Sequence, residues 1–213
     1  MEKTLDTNTY CTLYLIRHGE TEWNVKQLIQ GHADSPLTAL GIAQVTERAN
    51  TLADIHFDAI FSSDSSRAVQ TAEIIKLDRE IVVQASRLLR ERNHGSFEGV
   101  HYEEYQKQLK DKLAERDLLC PSEQDTFRIA DIENDAELTT RLLLQLREIA
   151  LAYPAKNVAV VTHGGCLYMF LVRIGYIERR EFSFSSIQNA ACIQMISDGV
   201  DFFVKETWGV QKK

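Results

Sequence analysis

Apolar residues fall in short runs along this chain, and most of the runs stop at a polar turn. Tyr10 to Ile16 (YCTLYLI) is apolar, aromatic and β-branched, as a buried strand requires, and it ends in Arg17-His18-Gly19-Glu20-Thr21. A polar loop closes with Asp34-Ser35-Pro36, after which Thr38 has the chemistry of an N-cap for a helix through about Ala53. Phe57 to Phe61 predicts a second strand, followed by Ser62-Ser63-Asp64. From Ser65 to Ile75, Ala68, Ala72 and Ile75 share one helical face. Ile81 to Gln84 predicts a third short strand, and Leu138, Leu142, Leu146 and Ile149 recur at the spacing of a long amphipathic helix. Asn157 to Thr162 (NVAVVT) repeats the first pattern, a buried strand ending in His163-Gly164-Gly165. A helix from about Cys166 to Ile174 and strands near Ile187 to Ile196 and Phe202 to Glu206 complete the reading.

Strand and helix alternate, which predicts an α/β fold: a three-layer α/β/α sandwich with a mostly parallel central sheet. Residues 1–213 read as a single domain, without linker composition or repeats. The stretch from about 100 to 134 differs, being charged, holding Pro121 and lacking a long apolar strand. It is expected to form a small inserted lobe over the sheet edge.

Composition narrows the function. Of 213 residues, 44% are apolar and 26% charged, which is ordinary for a water-soluble fold, and the net charge of −7 disfavours nucleic acid and anionic membranes as partners. An anionic substrate must then be drawn in by a local basic pocket. The cysteines Cys11, Cys120, Cys166 and Cys192 are scattered without a Cys-x-x-Cys pair, so they read as reduced thiols. The first ten residues lack a basic flank leading into an apolar segment, and no apolar stretch reaches the ~18 residues of a spanning helix. A cytoplasmic location is expected.

The chemistry sits at two strand ends. In open α/β sheets ligands bind at the carboxyl ends of strands, so His18 and His163 share one crevice if their strands are neighbours. Glycine after each histidine allows a sharp turn with amides available to an anion. Arg17 adjoins the first histidine and Arg67 lies in the helix after the second strand. Two guanidiniums and two imidazoles converging on one pocket suit a compact, multiply charged anion such as phosphate.

Taken together, these motifs resemble the histidine phosphatase superfamily, the phosphoglycerate-mutase-like family, over nearly the whole chain and in the family's order. Arg17-His18-Gly19-Glu20-Thr21 with Trp23-Asn24 is similar to its signature, and Gln30-Gly31 with Asp34-Ser35-Pro36-Leu37-Thr38 and Gly41 to its next block. Ser62-Ser63 with Arg67 and Gln70-Thr71-Ala72 resembles the second arginine helix. Leu89-Arg90-Glu91 with Gly95 and Glu98-Gly99 resembles the acid loop, Val161-Thr162-His163-Gly164-Gly165 the closing histidine motif, and Asn189-Ala190 a late supporting block. The resemblance implies a phosphoglycerate mutase-like fold and a phosphatase that passes a phosphoryl group through its own histidine.

It also implies roles. His18 is the nucleophile, becoming phosphohistidine; Arg17, Arg67 and His163 grip the phosphoryl oxygens, joined by Asn24 and Gly164; Glu91 is the general acid and base. Thr21, Gly31, Arg92 and His94 are candidate substrate contacts. The substrate is expected to be a small phosphorylated molecule, with no cofactor and no metal, since arginine beside a ligand histidine disfavours a dication. Oligomeric state stays open, a homodimer being one option.

Two other functions compete. A cofactor-dependent phosphoglycerate mutase shares the pocket, and Arg92 resembles the mutases' arginine. However, Gly99 is followed by Val100-His101-Tyr102 where mutases carry lysine, and no Arg-Arg pair occurs in the lobe. A non-catalytic phospho-ligand binder has no need of Glu91. The sequence favours the phosphatase.

Overall fold

The computed structural model describes residues 10–179 and 186–211. Its strands are β1 (Cys11–Arg17), β2 (Ala59–Ser63), β3 (Val83–Ser86), β4 (Asn157–Thr162), β5 (Ile187–Ser197) and β6 (Phe202–Val210). Its helices are α1 (Glu22–Val25), α2 (Ala39–Thr51), α3 (Ser66–Lys76), α4 (Tyr102–Asp117), α5 (Pro121–Thr126), α6 (Asp135–Ala152) and α7 (Gly164–Arg173). One sheet runs β3-β2-β4-β1-β5-β6. The first four strands of that order are parallel to one another, and β5 and β6 add an antiparallel pair.

Side-chain alternation along the central strands builds the three layers. Leu13, Leu15, Val158 and Val160 point to one face, where Leu138, Leu142 and Leu146 of α6 and Phe170 of α7 cover them. Tyr14, Ile16, Ala159 and Val161 point to the other, under Val45 and Ala49 of α2 and Ala68, Ala72 and Ile75 of α3. Thr38 caps α2 as expected, its hydroxyl accepting from Gly41 N at 2.9 Å.

Several boundaries move: β3 runs Val83–Ser86 and β6 extends to Val210, and two further shifts have a clear physical reason. β2 runs two residues past the apolar stretch because Ser62 and Ser63, though polar, pair within the sheet and are fully buried. α7 begins at Gly164 rather than Cys166, which makes His163 its N-cap residue. The charged segment after residue 100 folds into α4 and α5. Within it α5 packs on α6. Among the described residues no helix is long and apolar enough to cross a membrane.

Candidate active site

Strands β1 and β4 lie side by side with Arg17 opposite Thr162, so His18 and His163 leave the sheet together. His18 N donates to Thr162 O at 3.1 Å, and the two imidazole centroids are 5.2 Å apart. Both rings are buried. The ring of His18 is oriented by its neighbour: Nδ1 meets Gly19 O at 2.7 Å. A carbonyl only accepts, so Nδ1 carries the proton and Nε2 keeps its lone pair. In His163 the assignment is reversed. Arg67 Nη2 donates to its Nδ1 at 3.2 Å, which leaves the proton on Nε2, facing Ser65 Oγ at 3.5 Å. Burial, followed by the positive charges of Arg67 and Arg17, holds His18 well below the usual imidazole range. Burial and then Arg67 do the same for His163. Both imidazoles are therefore neutral at neutral pH.

Arg67 projects from the first turn of α3 and is only 1% exposed. Its Nη1 donates to Ala33 O and to Asp34 Oδ1 at 2.8 and 2.9 Å, and its Nη2 also donates to Gly31 O at 2.9 Å. Gly31 adopts a left-handed φ of 56°, a backbone conformation that glycine enters without steric cost, and this turn carries the carbonyl that holds Arg67. Arg17, at the end of β1, donates from Nη1 to Ile187 O. Its guanidinium lies against the start of α7: a Cβ on Gly164 would sit 3.0 Å from Arg17 Nε. The Nε–H groups of both arginines are buried and have no partner. Such donors cost free energy unless something accepts from them.

Glu91 reaches the same place from the loop after β3. Its Oε2 accepts from Gly165 N at 2.9 Å, and its Oε1 from Cys166 N at 3.1 Å and Arg92 N at 2.8 Å. A cavity of about 180 Å³ opens here, lined among others by Gly31, Asp34, Ser65, Arg67, Glu91 and His163. Arg67, Glu91 and the neutral His163 line this space, the neutral His18 ring lies 5.2 Å from that of His163, and Arg17 lies against Gly164 at the start of α7. Such a set can bind a tetrahedral anion, attack it from His18 Nε2 and exchange a proton at Glu91.

Comparison with known proteins decides what this arrangement belongs to. The model of the histidine phosphatase superfamily (branch 1) matches residues 13–208. The chain belongs to the histidine phosphatase superfamily. It is 32% identical over 197 residues to the uncharacterized phosphatase PhoE of Bacillus subtilis, covering 92% of this chain and 91% of PhoE. It is 36% identical over 172 residues to the probable phosphoglycerate mutase GpmB of Proteus mirabilis, covering 79% and 78%. Among solved structures, YhfR of Bacillus stearothermophilus superposes with a TM-score of 0.78 at 28% identity, over 91% of this chain and 95% of that one.

In this histidine phosphatase the remaining sequence candidates divide. Gly31 lines the pocket and holds Arg67 through its carbonyl, and Gly164 accommodates Arg17 at the start of α7. Asn24 is not among the residues lining the pocket: its Oδ1 accepts from Thr21 N at 3.1 Å and from Asn189 Nδ2 at 3.3 Å, which ties α1 to β5. Thr21 is wholly buried as the N-cap of α1, its hydroxyl accepting from Asn24 N. Arg92 and His94 are not brought to this pocket. They line a second cavity of about 820 Å³ between the lobe and helices α6 and α7. There Arg92 is paired with Asp135 at 2.6 Å, and His94 Nδ1 meets Tyr105 OH at 3.2 Å, with burial pushing the His94 imidazole down to about 4.

Sequence reasoning passed over two groups that hold the site. Asp34, noted only as part of a motif, fastens Arg67 and also accepts from Ser66 Oγ at 2.7 Å. Arg141 was not singled out, although a charge three residues after Leu138 on the apolar stripe of α6 was a visible anomaly. Among the described residues no three His, Cys, Asp or Glu side chains converge to hold a metal ion.

Proposed function

We propose that this chain hydrolyses small-molecule phosphomonoesters without a metal, through a phosphohistidine formed on His18. The observation that carries the reading is a neutral His18 with a free Nε2, flanked by two buried guanidinium groups whose Nε–H donors await an acceptor.

The reaction follows from these positions. With the phosphoryl oxygens held by Arg17, Arg67 and the Nε2–H of His163, His18 Nε2 attacks phosphorus as the bond to the alcohol oxygen breaks. Glu91, in its protonated form, gives its proton to that oxygen and the alcohol leaves. Water then attacks phosphorus, the P–Nε2 bond breaks, and Glu91 takes the water's proton back. Inorganic phosphate departs and both residues return to their starting states. The guanidiniums supply the charge stabilisation that a metal gives in other phosphatases, and they oppose a dication at the same spot. We assign the activity to the cytoplasm on the four free cysteines, which suit a reducing compartment.

The likeness to GpmB supports a second reading, a phosphoglycerate mutase that hands the phosphoryl group to an organic acceptor. Against it, the Arg92 guanidinium that resembles the mutases' arginine is engaged by Asp135 and by Glu133 O. Assaying a panel of phosphomonoesters and phosphoglycerates, with and without chelator, separates the readings. Free phosphate released in both conditions supports the phosphatase, and interconversion of 2- and 3-phosphoglycerate the mutase. Turnover lost to chelator and restored by a divalent ion would defeat the metal-free mechanism, and the absence of any turnover would leave a binding protein.

A further inference from the structure

Arg141 uses all five of its guanidinium N–H donors, and none of them goes to the phosphate pocket. Nη1 donates to Leu88 O at 2.9 Å and to Arg90 O at 2.6 Å, and Nη2 to Glu91 O at 2.8 Å. The remaining two hold the Glu133 carboxylate: Nε to Oε1 at 2.6 Å and Nη2 to Oε2 at 2.8 Å. Arg141 and Glu133 are both largely buried, at 16% and 13% side-chain exposure. Glu133 stands where the lobe returns to α6, and its backbone is stitched to the same loop. Its N–H donates to Asn93 O at 2.9 Å, and its carbonyl accepts from Arg92 Nη1 at 2.7 Å.

Three carbonyls drawn to one guanidinium fix the direction in which this loop runs. With the carbonyls of 88, 90 and 91 turned towards α6, the Glu91 side chain lies against the first turn of α7, on Gly165 N and Cys166 N. That seat has little slack, since even a Cβ on Gly165 would come within 2.6 Å of Glu91 Oε1. Misplacing a reacting group by about 1 Å costs on the order of 10²-fold in rate.

We propose that Arg141 is the positioning residue for the proton-transfer step, joining the Glu91 loop to the end of the lobe at Glu133. The proposal rests on Glu91 being the general acid. Arg141 donates no hydrogen bond into the phosphate pocket; it holds the loop through its backbone carbonyls, and its charge is retained in Arg141→Lys, which separates positioning from field.

The test compares leaving groups. p-Nitrophenyl phosphate departs with little need of a proton, whereas β-glycerophosphate needs one, so a displaced acid shows as a loss weighted towards the second. Arg141→Met should lower kcat/KM, which reports alcohol release and not the shared dephosphorylation step, on β-glycerophosphate more than on p-nitrophenyl phosphate, by a ratio of about tenfold or more. Arg141→Lys should behave similarly, because an ammonium cannot span three carbonyls and a carboxylate. Glu133→Gln should show the same bias at smaller size, and joining it to Arg141→Met should add nothing. Equal losses on the two substrates in these variants would overturn the proposal, since general loosening has no reason to follow the leaving group. If Arg141→Met fails to fold, Arg141→Lys and Glu133→Gln carry the same comparison. Glu91→Gln is the control. With bias there and none in the Arg141 variants, only the positioning role falls; with no bias in Glu91→Gln, the acid assignment falls and this proposal with it.

Discussion

Around the ends of β1 and β4, Arg17 and Arg67 each keep a buried Nε–H without a partner, although Asp34 meets Nη1 of Arg67, whereas under the lobe Arg92 and Arg179 are tied to acids. Asp135 sits between Arg92 Nη2 and Arg179 Nη1, and Asp125 accepts from Arg179 Nη2 at 2.6 Å. Arg116 Nε is the exception on the lobe side. The difference is one of purpose. Charges that satisfy each other fasten one part of a fold to another, here the lobe to α6 and α7. Buried cations left partly unsatisfied, near two neutral imidazoles, lower stability and gain it back when an anion binds. We therefore assign the proposed chemistry to the smaller of the two cavities, although the larger has over four times its volume.

The widest separation between the regions comes from removing His18, the proposed nucleophile. His18→Ala should abolish both turnover and the acid-labile phosphoenzyme, a loss on the order of 10⁴ or more in kcat. Rapid acid-free quenching with labelled substrate measures it. Label retained on the variant would mean that another residue attacks phosphorus.

A paired substitution sharpens the contrast between satisfied and unsatisfied arginines. Arg67→Met should cost about 10²–10³ in kcat/KM, the usual effect of deleting one donor to a transition-state anion. Inorganic phosphate at a hundredfold excess over its Kd should raise the unfolding free energy by about 2.7 kcal/mol in the parent protein, and Arg67→Met should erase that gain. Arg92→Met should do the opposite. It strips one partner from the buried Asp135, so stability falls by about 2 kcal/mol, while the phosphate response stays intact. Melting curves of both variants across a phosphate titration decide the matter. An Arg92 variant that loses the phosphate response, or an Arg67 variant that keeps it, would reverse the assignment of the two cavities.

How far this contrast was legible in the sequence depends on the range of each interaction. The strand ends were legible, because an apolar run followed by Arg-His-Gly or His-Gly-Gly states both the strand and its polar exit. Arg67 was legible only through its motif, since a helix arginine taken alone reads as solvated. The end of β2 was missed because hydropathy cannot tell that Ser62 and Ser63 pair inside a sheet. Arg92 looked like a candidate substrate contact until its partner emerged 43 positions along the chain at Asp135. Arg141 was visible as a charge on the apolar stripe of α6, but its partners were not: three of its acceptors are backbone carbonyls, which every residue possesses, so no side-chain pattern announces them.

The smallest expected effect isolates a single imidazole of the phosphate pocket. His18 and His163 are held well below the usual histidine range in the folded state, whereas in the unfolded chain each titrates near 6.5. As pH falls below about 6.5 the unfolded state takes up protons that the folded state refuses, so stability is full above that pH and drops below it. The slope approaches about 1.4 kcal/mol per pH unit for each such histidine. His94, pushed down to about 4, adds a third share from outside the pocket, and it persists until the pH nears that value. Carboxylates such as Asp34 and Asp135, held below their usual range, act only near pH 4 and lower, which leaves the interval from 6.5 to 5 to the imidazoles. Urea unfolding at pH 7.5 and 5.5 should therefore show His18→Gln losing about 1.4 kcal/mol less than the parent over that interval. If the two proteins lose the same amount, His18 gains its proton as readily in the fold as in water. The neutral nucleophile at the end of β1 would then have no basis.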